Sequence, residues 1–328
     1  MDDTFSLAGN CLVCGAQSWK AKYEVFDTNQ GVPGTWQILI CQACGLGVLY
    51  PLPTSAEIAY YYLDNFYTPE GQRFNRVVEK IRAILGRCRG KRLRQIMPNG
   101  GRLLDFGAGA GHFGAAMQNA GWDVVSLDIA RYGSGQDIHP NFTMDGDRPS
   151  LPFPDDSFDV VTLWYVIEHM RNPRIVLQEM RRVLRPGGIL LLAQQNFASF
   201  QAKLFGPRWL ILDPPRHLYQ FTPDNLRSMT EQEQFEFVSV NNACLEMGPF
   251  TILQSIFNTI LSNKNHLFRF LKNRGLKRTG LEKGRVVDHM QVLLSLGLSV
   301  VLAPLSLLVY YLLLSINSGD VFTLYLRK

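Results

Sequence analysis

Charged residues are scarce in this chain of 328 residues, in which Asp, Glu, Lys and Arg make up 19% and hydrophobic residues 46%. None of these four charged types occurs from His289 to Gly319. A bilayer core of ~30 Å is crossed by about 20 apolar residues, so this run is long enough to enter a membrane. The acidic segment 1–10 lacks the apolar core of a signal peptide. We therefore expect no secretory signal and a globular part that stays in the cytosol.

Aromatic residues are not interleaved with the basic runs, although a platform that stacks RNA bases needs such a pattern. One basic run, Lys80 to Arg94, holds seven Lys or Arg and no acidic residue. We interpret this run as the solvated face of a helix, because a binding patch is the rarer explanation of such a pattern. No nucleic-acid partner is expected.

Glycine is missing at position 112, where a nicotinamide-binding fingerprint would require it and His112 stands instead. A nicotinamide cofactor is therefore disfavoured. The preceding run LLDFGAGAG, Leu103 to Gly111, reads as an apolar strand that ends in Asp105 and is followed by three glycines on alternate positions. Such glycines let backbone amides approach a ligand that a Cβ would exclude, and the next helix offers its unpaired N–H groups.

Cysteine is also sparse, and four of the six cysteines form two close pairs. Cys11 and Cys14, like Cys41 and Cys44, are separated by two residues and followed by glycine. This spacing is typical of two tight turns that deliver four thiolates to a tetrahedral zinc ion. Four thiolates leave no open coordination position, so the zinc would be structural. Redox-inert cysteines or a metal-free ribbon remain the alternatives.

Two further strands follow the glycine-rich run. The segment WDVVSLD ends at Asp128, 23 residues after Asp105, where a carboxylate can bind the two hydroxyls of a ribose. The segment from Leu151 to His169 reads as a turn and a buried strand, and a helix then closes with LRPGG at 184–188. Strands and helices that alternate in this way predict an α/β fold with a doubly wound parallel sheet.

Residues 100–196 resemble the S-adenosylmethionine-dependent methyltransferases of the Rossmann-like class, types 11 and 23, because the glycine loop, the ribose acid, the LPF segment and the RPGG turn occur in order. The resemblance implies a three-layer α/β/α sandwich with a seven-stranded, mostly parallel sheet and S-adenosyl-L-methionine as cofactor. The cysteine module ahead of this domain is similar to that of bacterial methyltransferases that modify cell-surface glycans and lipids.

The resemblance also implies the residues of a cofactor site. Asp105 and the glycine loop would hold the methionine moiety, Asp128 the ribose and Asp147 the adenine amine. Trp164 would flank the cofactor, although simple core packing is an open alternative for a tryptophan. The full set is Asp105, Gly107, Ala108, Gly109, Gly111, Asp128, Asp147 and Trp164.

Two histidines are candidates for a catalytic base, because an oxygen acceptor of high pKa must lose a proton near neutral pH. His217 lies in the loop DPPRHLYQFTP, and His169 follows the fourth strand. A structural, hydrogen-bonding histidine is the alternative for both. Arg216 either meets a phosphate or carboxylate of the acceptor or pairs with Asp213.

The apolar run lies in an insertion, residues 249–318, between a strand at 235–242 and a final strand at 321–328. Eight Lys or Arg against one Glu occupy Lys264 to Arg285, a charge that anionic cytoplasmic lipid attracts. If the final strand belongs to a cytosolic sheet, both ends of the insertion are cytosolic. With Pro304 near its middle, the run then predicts an interfacial or re-entrant helical hairpin. A single span with an external tail is the alternative.

These observations predict four regions: a zinc-ribbon-like module at 1–50, a helical linker at 51–98, a methyltransferase domain at 99–248 with 319–328, and the membrane-associated insertion at 249–318. The expected activity is O-methylation of a lipid-linked saccharide or another membrane-presented acceptor, at the cytoplasmic face of the membrane. A quinone or small-molecule O-methyltransferase and a non-catalytic cofactor-binding protein are the alternatives.

Overall fold

The computed structural model describes residues 10–62, 76–128, 143–145, 148–243, 247–262, 264–272 and 285–328. The strands are Trp19–Val25 (β1), Trp36–Cys41 (β2), Gly47–Tyr50 (β3), Arg102–Phe106 (β4), Asp123–Leu127 (β5), Thr143–Asp145 (β6), Arg148–Ser150 (β7), Phe158–Trp164 (β8), Leu184–Gln195 (β9), Tyr219–Gln220 (β10), Glu236–Asn241 (β11) and Val321–Arg327 (β12). The α-helices are Ser55–Tyr62 (α1), Arg76–Ile96 (α2), His112–Gln118 (α3), Pro173–Val183 (α4), Phe200–Phe205 (α5), Pro223–Gln232 (α6), Gly248–Ile260 (α7), His266–Leu271 (α8) and Arg285–Ser315 (α9).

The main sheet has the strand order β11-β12-β9-β8-β4-β5. Strands β4, β5, β8 and β9 are parallel, and β12 is antiparallel to both of its neighbours. The central strands are apolar on both faces: Leu103, Leu104, Val160 and Val161 are fully buried. Parallel strands that are covered by helices on both sides need such continuous apolar runs. The predicted doubly wound α/β fold is confirmed.

The expectation of seven strands is wrong for the part of the chain that the structure describes, because the main sheet there has six. Thr143–Asp145 and Arg148–Ser150 instead pair with each other as a separate antiparallel hairpin. Their backbone groups bond within that hairpin, and β5 remains the edge of the main sheet.

The N-terminal ribbon shares a sheet with a segment far along the chain. Strands β1, β2 and β3 form an antiparallel meander, and β10 adds a fourth strand beside β3. Leu49 N donates to Leu218 O over 2.9 Å. A Cβ at Gly47 would lie 2.7 Å from Gln220 Cβ, so only glycine allows this approach. The ribbon is therefore built into the same sheet as the residues that follow His217.

The insertion leaves and re-enters the main sheet at one edge. Because β12 is antiparallel to β9 and β11, the chain between β11 and β12 departs at the carboxyl ends of the parallel strands. Helix α9 packs along α7, with Tyr310 and Leu313 against Ile252 and with Leu298 near Phe257. Among the described residues, Met290–Ser315 is the one helix whose length and composition would allow it to cross a membrane.

The face of α9 turned away from α7 is apolar and exposed. Val300 is 76% exposed and Val301 70%. The other large apolar side chains exposed on this segment are Met290, Leu293, Leu294, Leu296, Leu305, Leu307, Leu308, Tyr311, Leu312 and Ile316. An apolar patch of this extent marks an interaction surface in most proteins.

Candidate active site

The glycine loop after β4 holds a conformation that its residues require. Gly107, Gly109 and Gly111 have φ values of 76°, 55° and 71°, in the left-handed region that favours glycine. A Cβ at Gly107 would lie 2.4 Å from Val166 Cγ2. Gly109 N donates to Asp128 Oδ2 over 2.6 Å. The loop thus lies against the end of β5 and carries the predicted ribose acid beside it.

Asp105 is a buried carboxyl group, and only one of its two oxygens accepts a hydrogen bond from the described residues. The Thr162 hydroxyl donates to Asp105 Oδ1 over 2.9 Å, whereas Oδ2 has no hydrogen-bond partner in the described part of the chain. Burial raises the pKa of Asp105 to about 7, and Asp128 adds to the rise while Thr162 and Arg89 oppose it. A buried unpaired oxygen requires an explanation. A cationic amino group of a bound cofactor fits this position.

Trp164 closes β8, the strand next to β4. Its ring packs edge-to-face on Phe113, with 5.1 Å between the ring centroids. Its Nε1 is buried without a hydrogen-bond partner among the described residues. Core packing therefore accounts for its ring, and its contact with a cofactor stays a prediction. Asp147, the predicted adenine ligand, lies outside the described residues.

His169 and His217 meet on the neighbouring part of the same rim. His169 ends the short turn Ile167–His169 after β8, and its ring centroid is 4.8 Å from that of His217. The Nδ1 atom of His169 is 2.8 Å from Arg216 O, and that of His217 is 2.9 Å from Ile211 O. Because a carbonyl oxygen only accepts, each Nδ1 carries the proton in these two hydrogen bonds.

The electrostatic environment keeps His169 neutral. Burial lowers the pKa of His169 to about 4, and the neighbouring His217 lowers it further, although the Glu168 carboxylate and the hydrogen bond to Arg216 O oppose the change. At neutral pH this imidazole is therefore uncharged.

Glu168 is a site residue that sequence reasoning missed. It is fully buried, and its two oxygens accept hydrogen bonds from Gln194 Nε2 over 2.5 Å and from Gln195 Nε2 over 2.8 Å. One carboxylate oxygen and one nitrogen from each histidine lie within 4.8 Å of one another. Two features of the sequence could have indicated Glu168: it is an acid directly before His169, and a pair of glutamines ends the apolar strand β9.

Arg216 is buried in an ion-pair network. Its guanidinium donates to Asp213 over 2.6 Å and to both oxygens of Asp27 over 2.9 Å. Burial alone would lower the pKa of Arg216, but the two carboxylates hold it well above its usual range. Likewise Arg216 outweighs burial and keeps the pKa of Asp213 well below its usual range. Of the two alternatives for Arg216, the structure shows the pairing with Asp213, and Asp27 of the ribbon is an additional partner.

The network continues from the ribbon to the insertion. Asp27 lies in the turn between β1 and β2, and the Asn29 side chain from the same turn donates to Asp213. Asn265, just before α8, donates to Thr28 Oγ1 over 2.6 Å and to Asn29 Oδ1 over 2.9 Å. Two distant segments thus hold the loop that carries His217, the ribbon turn by direct bonds and the insertion through that turn.

The four paired cysteines come together at the tip of the ribbon. Cys11 Sγ is 3.6 Å from Cys44 Sγ, Cys14 Sγ is 3.6 Å from Cys41 Sγ, and all four sulfur atoms lie within 4.8 Å of one another. In a tetrahedral zinc site with bonds of about 2.3 Å, sulfur atoms are about 3.8 Å apart. The sulfur arrangement therefore fits a zinc ion.

Known proteins resemble the central part of this chain. A demethylmenaquinone methyltransferase of Renibacterium salmoninarum is 38% identical over 104 residues, which are 31% of this chain and 44% of that protein. A malonyl-[acyl-carrier protein] O-methyltransferase of Yersinia pestis is 32% identical over 158 residues, or 46% of this chain and 58% of that protein. The chain thus spans about half the length of these relatives.

The family model of the methyltransferase domain matches residues 72–240, more than half of the chain. Among solved structures, a SAM-dependent methyltransferase from Archaeoglobus fulgidus is 14% identical, with a TM-score of 0.42 over 75% of this chain and 94% of that one. The matched residues include the glycine loop, Asp128 and the His169 turn. The chain therefore belongs to the methyltransferase-domain family of enzymes.

Proposed function

We propose that the chain transfers the methyl group of S-adenosylmethionine to a lipophilic small molecule, of the quinone class, that is presented at a membrane surface. The observation that carries the proposal is the packing of the exposed apolar helix α9 on α7, which in turn contacts the turn Leu210–Leu212 that bonds to His217. The relatives, by their names, methylate a demethylated menaquinone and a carrier-bound malonyl group, which favours a quinone or small-molecule acceptor over a lipid-linked saccharide.

Two successive packing contacts connect α9 to the part of the active site that would receive the methyl acceptor. Helix α9 packs on α7, as described above. Helix α7 in turn contacts the short turn Leu210–Leu212, where Leu210 N donates to Ser255 Oγ over 3.1 Å. The Ile211 carbonyl of this turn is the acceptor for His217 Nδ1. An acceptor that leaves a bilayer beside α7 would therefore enter next to the histidine pair.

The cofactor supplies the reactive methyl group, and the chain's own residues hold and orient it. Asp128 would bind the ribose, while Asp105 and the glycine loop would hold the methionine end. An acceptor atom would bond the methyl carbon in line with the breaking carbon–sulfur bond, so that the neutral thioether leaves, and a fixed approach of the two reactants would supply much of the acceleration. An oxygen acceptor loses its proton on the side of His169 and His217, the residues predicted to act as bases.

The decisive activity test uses labelled S-adenosylmethionine with the full chain and bacterial membranes, followed by separate extraction of lipid, glycan and protein. The proposal expects label in the apolar lipid extract and transfer to a purified demethylated quinone. Label confined to saccharide-linked lipid would favour a glycan acceptor instead. Cofactor binding without any transfer would identify a non-catalytic binding protein.

Membrane attachment is a second part of the proposal. The apolar face of α9 would lie in the plane of the cytoplasmic leaflet, and the basic residues from Lys264 to Arg285, apart from the buried Lys272, would contact anionic headgroups. The return of the chain into β12 supports an attached helix pair over a single span, because both ends of the insertion join the same sheet.

Vesicle sedimentation tests the attachment. The chain should bind vesicles of anionic lipid more than neutral ones, and salt alone should not release it, because apolar burial adds to the charge attraction. Val300→Asp on the exposed face should weaken binding at least tenfold. Val240→Asp on β11, also partly exposed, is the matched control and should bind normally. A reporter fused after Lys328 that is accessible from outside would overturn the model.

We also propose one structural zinc ion per chain, held by Cys11, Cys14, Cys41 and Cys44. Metal analysis of the purified chain should give about one equivalent. Cys41→Ser should lose it and unfold the ribbon, because metal binding and folding are coupled at such sites. Cys88→Ser, a cysteine outside the four-residue cluster, is the control. A metal-free chain with a fully folded ribbon would exclude the zinc.

A further inference from the structure

The two histidines on the acceptor side are oriented as metal ligands usually are. A histidine that binds a metal through one ring nitrogen almost always donates the other N–H to a carbonyl or carboxylate, which fixes its tautomer and orientation. His169 and His217 both do this, through Nδ1 to the backbone oxygens of Arg216 and Ile211. The other ring nitrogen of each histidine is Nε2.

The adjacent carboxylate shows the same support. Glu168 is fully buried, and amide groups of Gln194 and Gln195 each donate to one of its oxygens. Neutral amides orient a carboxylate without neutralising its charge. In the described residues no cationic side chain forms a salt bridge with this carboxylate. A buried negative charge without such a partner is costly, and coordination of a cation is one of the few ways to compensate it.

The geometry suits a first-row divalent ion. The three ligand atoms lie within 4.8 Å of one another. The ligand atoms of an ion with metal–nitrogen bonds of about 2.1 Å are roughly 3 to 4 Å apart. Side-chain movements of about 1 Å would therefore bring the three ligand atoms to coordination distance. Two imidazoles and one carboxylate suit Zn²⁺, Fe²⁺ and Mn²⁺ and are unlike the thiolate set at the ribbon tip.

We propose that Glu168, His169 and His217 form a second metal site, which binds a divalent transition-metal ion and leaves coordination positions open. The site stands at the carboxyl ends of β8 and β9, beside the cofactor loop and under the turn that α7 contacts. Three protein ligands with open positions are the arrangement of catalytic metal sites, whereas four thiolates form a closed, structural one.

The ion would act on the acceptor, and this step rests on the proposed function. A hydroxyl group of the acceptor binds an open position, its pKa falls, and its proton passes to water. The oxygen then uses a lone pair to bond the methyl carbon, the carbon–sulfur bond breaks, and its electron pair stays on sulfur as the neutral thioether. The histidines would in this case hold the ion and not the proton.

A manganese titration tests the site without any methyl acceptor. Thiolate sites prefer zinc to manganese, so a chain that keeps zinc at its cysteines reports Mn²⁺ binding elsewhere. The signal of free Mn²⁺ in electron paramagnetic resonance should show one bound ion per chain. Two variants should bind Mn²⁺ at least tenfold more weakly: Glu168→Gln, and His217→Asn, whose amide can still donate to the Ile211 carbonyl.

The controls separate loss of the site from loss of the fold. Glu233→Gln changes another buried carboxylate, one that pairs with Arg174, and should bind Mn²⁺ like the unchanged chain. Affinity for S-adenosylmethionine, measured by calorimetry, should stay the same in both site variants. Unchanged Mn²⁺ binding in folded Glu168→Gln and His217→Asn, or no bound Mn²⁺ at millimolar concentration in the unchanged chain, would overturn the site. Failure of the unchanged chain to bind S-adenosylmethionine would count against the proposed function. The Mn²⁺ measurement would still decide on the metal site, because it does not depend on the cofactor.

Discussion

The cofactor end and the acceptor end of the active site are built in opposite ways. The cofactor end comes from one β–α–β stretch, in which Gly109 and Asp128 bond across only 19 residues. The acceptor end is assembled over long distances, since Arg216 bonds to Asp27 across 189 residues and Asn265 to Thr28 across 237. A local motif fixes the first end by itself, whereas the second depends on the ribbon and on the insertion.

The difference also concerns what holds each end in place. Backbone amides and glycine conformation shape the cofactor loop. On the acceptor side one guanidinium joins two buried carboxylates from different segments. Removing one partner of a buried ion pair leaves uncompensated charge, so the acceptor end should be the more sensitive to a single substitution.

Arg216→Met should have the largest effect, a loss of about 3 to 5 kcal/mol in the free energy of unfolding, because Asp27 and Asp213 stay buried without their cation. Urea unfolding measures the loss. Hydrogen exchange should show that β3 and β10 lose protection first, while β4 and β5 keep it. Arg227→Met removes an exposed pair with Glu231 and should cost no more than about 1 kcal/mol. Equal losses for both variants would remove the contrast between the two ends.

Asp128→Ala should weaken S-adenosylmethionine binding by about 1.5 to 3 kcal/mol, the range for hydrogen bonds to a charged group. Calorimetry gives the affinity. The matched control is Asp123→Ala at the start of β5, where the carboxylate is 70% exposed beside Arg102. The acceptor end should remain folded in both variants. An unchanged affinity in Asp128→Ala would contradict the assignment of the ribose acid.

The smallest expected effect is a pH dependence from Asp105. Its folded pKa of about 7 lies above the usual 3.8, so the folded chain retains a proton that the unfolded chain releases. Its contribution to stability without cofactor therefore falls as the pH rises from about 4 to about 7. A cationic cofactor binds the carboxylate form, so affinity should rise about fivefold from pH 6 to pH 7 and level off above. Asp105→Asn should show no such rise.

The geometry of the strand, glycine loop and acid at the cofactor end could be predicted because each of its signals is local. Asp105 near the end of β4, the alternate glycines and Asp128 after β5 lie within 24 residues of one another, and one β–α–β unit brings them together. The final strand could also be predicted, because alternation in 321–328 is a property of that segment alone. Only the strand count, taken from a resemblance, was wrong.

The acceptor end could not be predicted in the same way. Nothing near Asp27 in the sequence indicates that it pairs with Arg216, and the two-residue strand β10 is too short to give an alternating pattern. Glu168 reads as an ordinary helix-turn acid until β9 places two glutamine amides against it. Such contacts are set by how separated segments pack, and one sequence carries no local trace of them.

The position of β12 bears on the order in which the molecule is made. This strand lies between β9 and β11, yet it follows both of them and the whole of α9 along the chain. During synthesis β9 and β11 therefore cannot pair with β12, their shared neighbour, until α9 has left the ribosome. The nascent chain exposes its most apolar helix and two open strand edges at the same moment, which is the condition for aggregation. An early contact of α9 with α7, or with the membrane, would protect the chain through this interval.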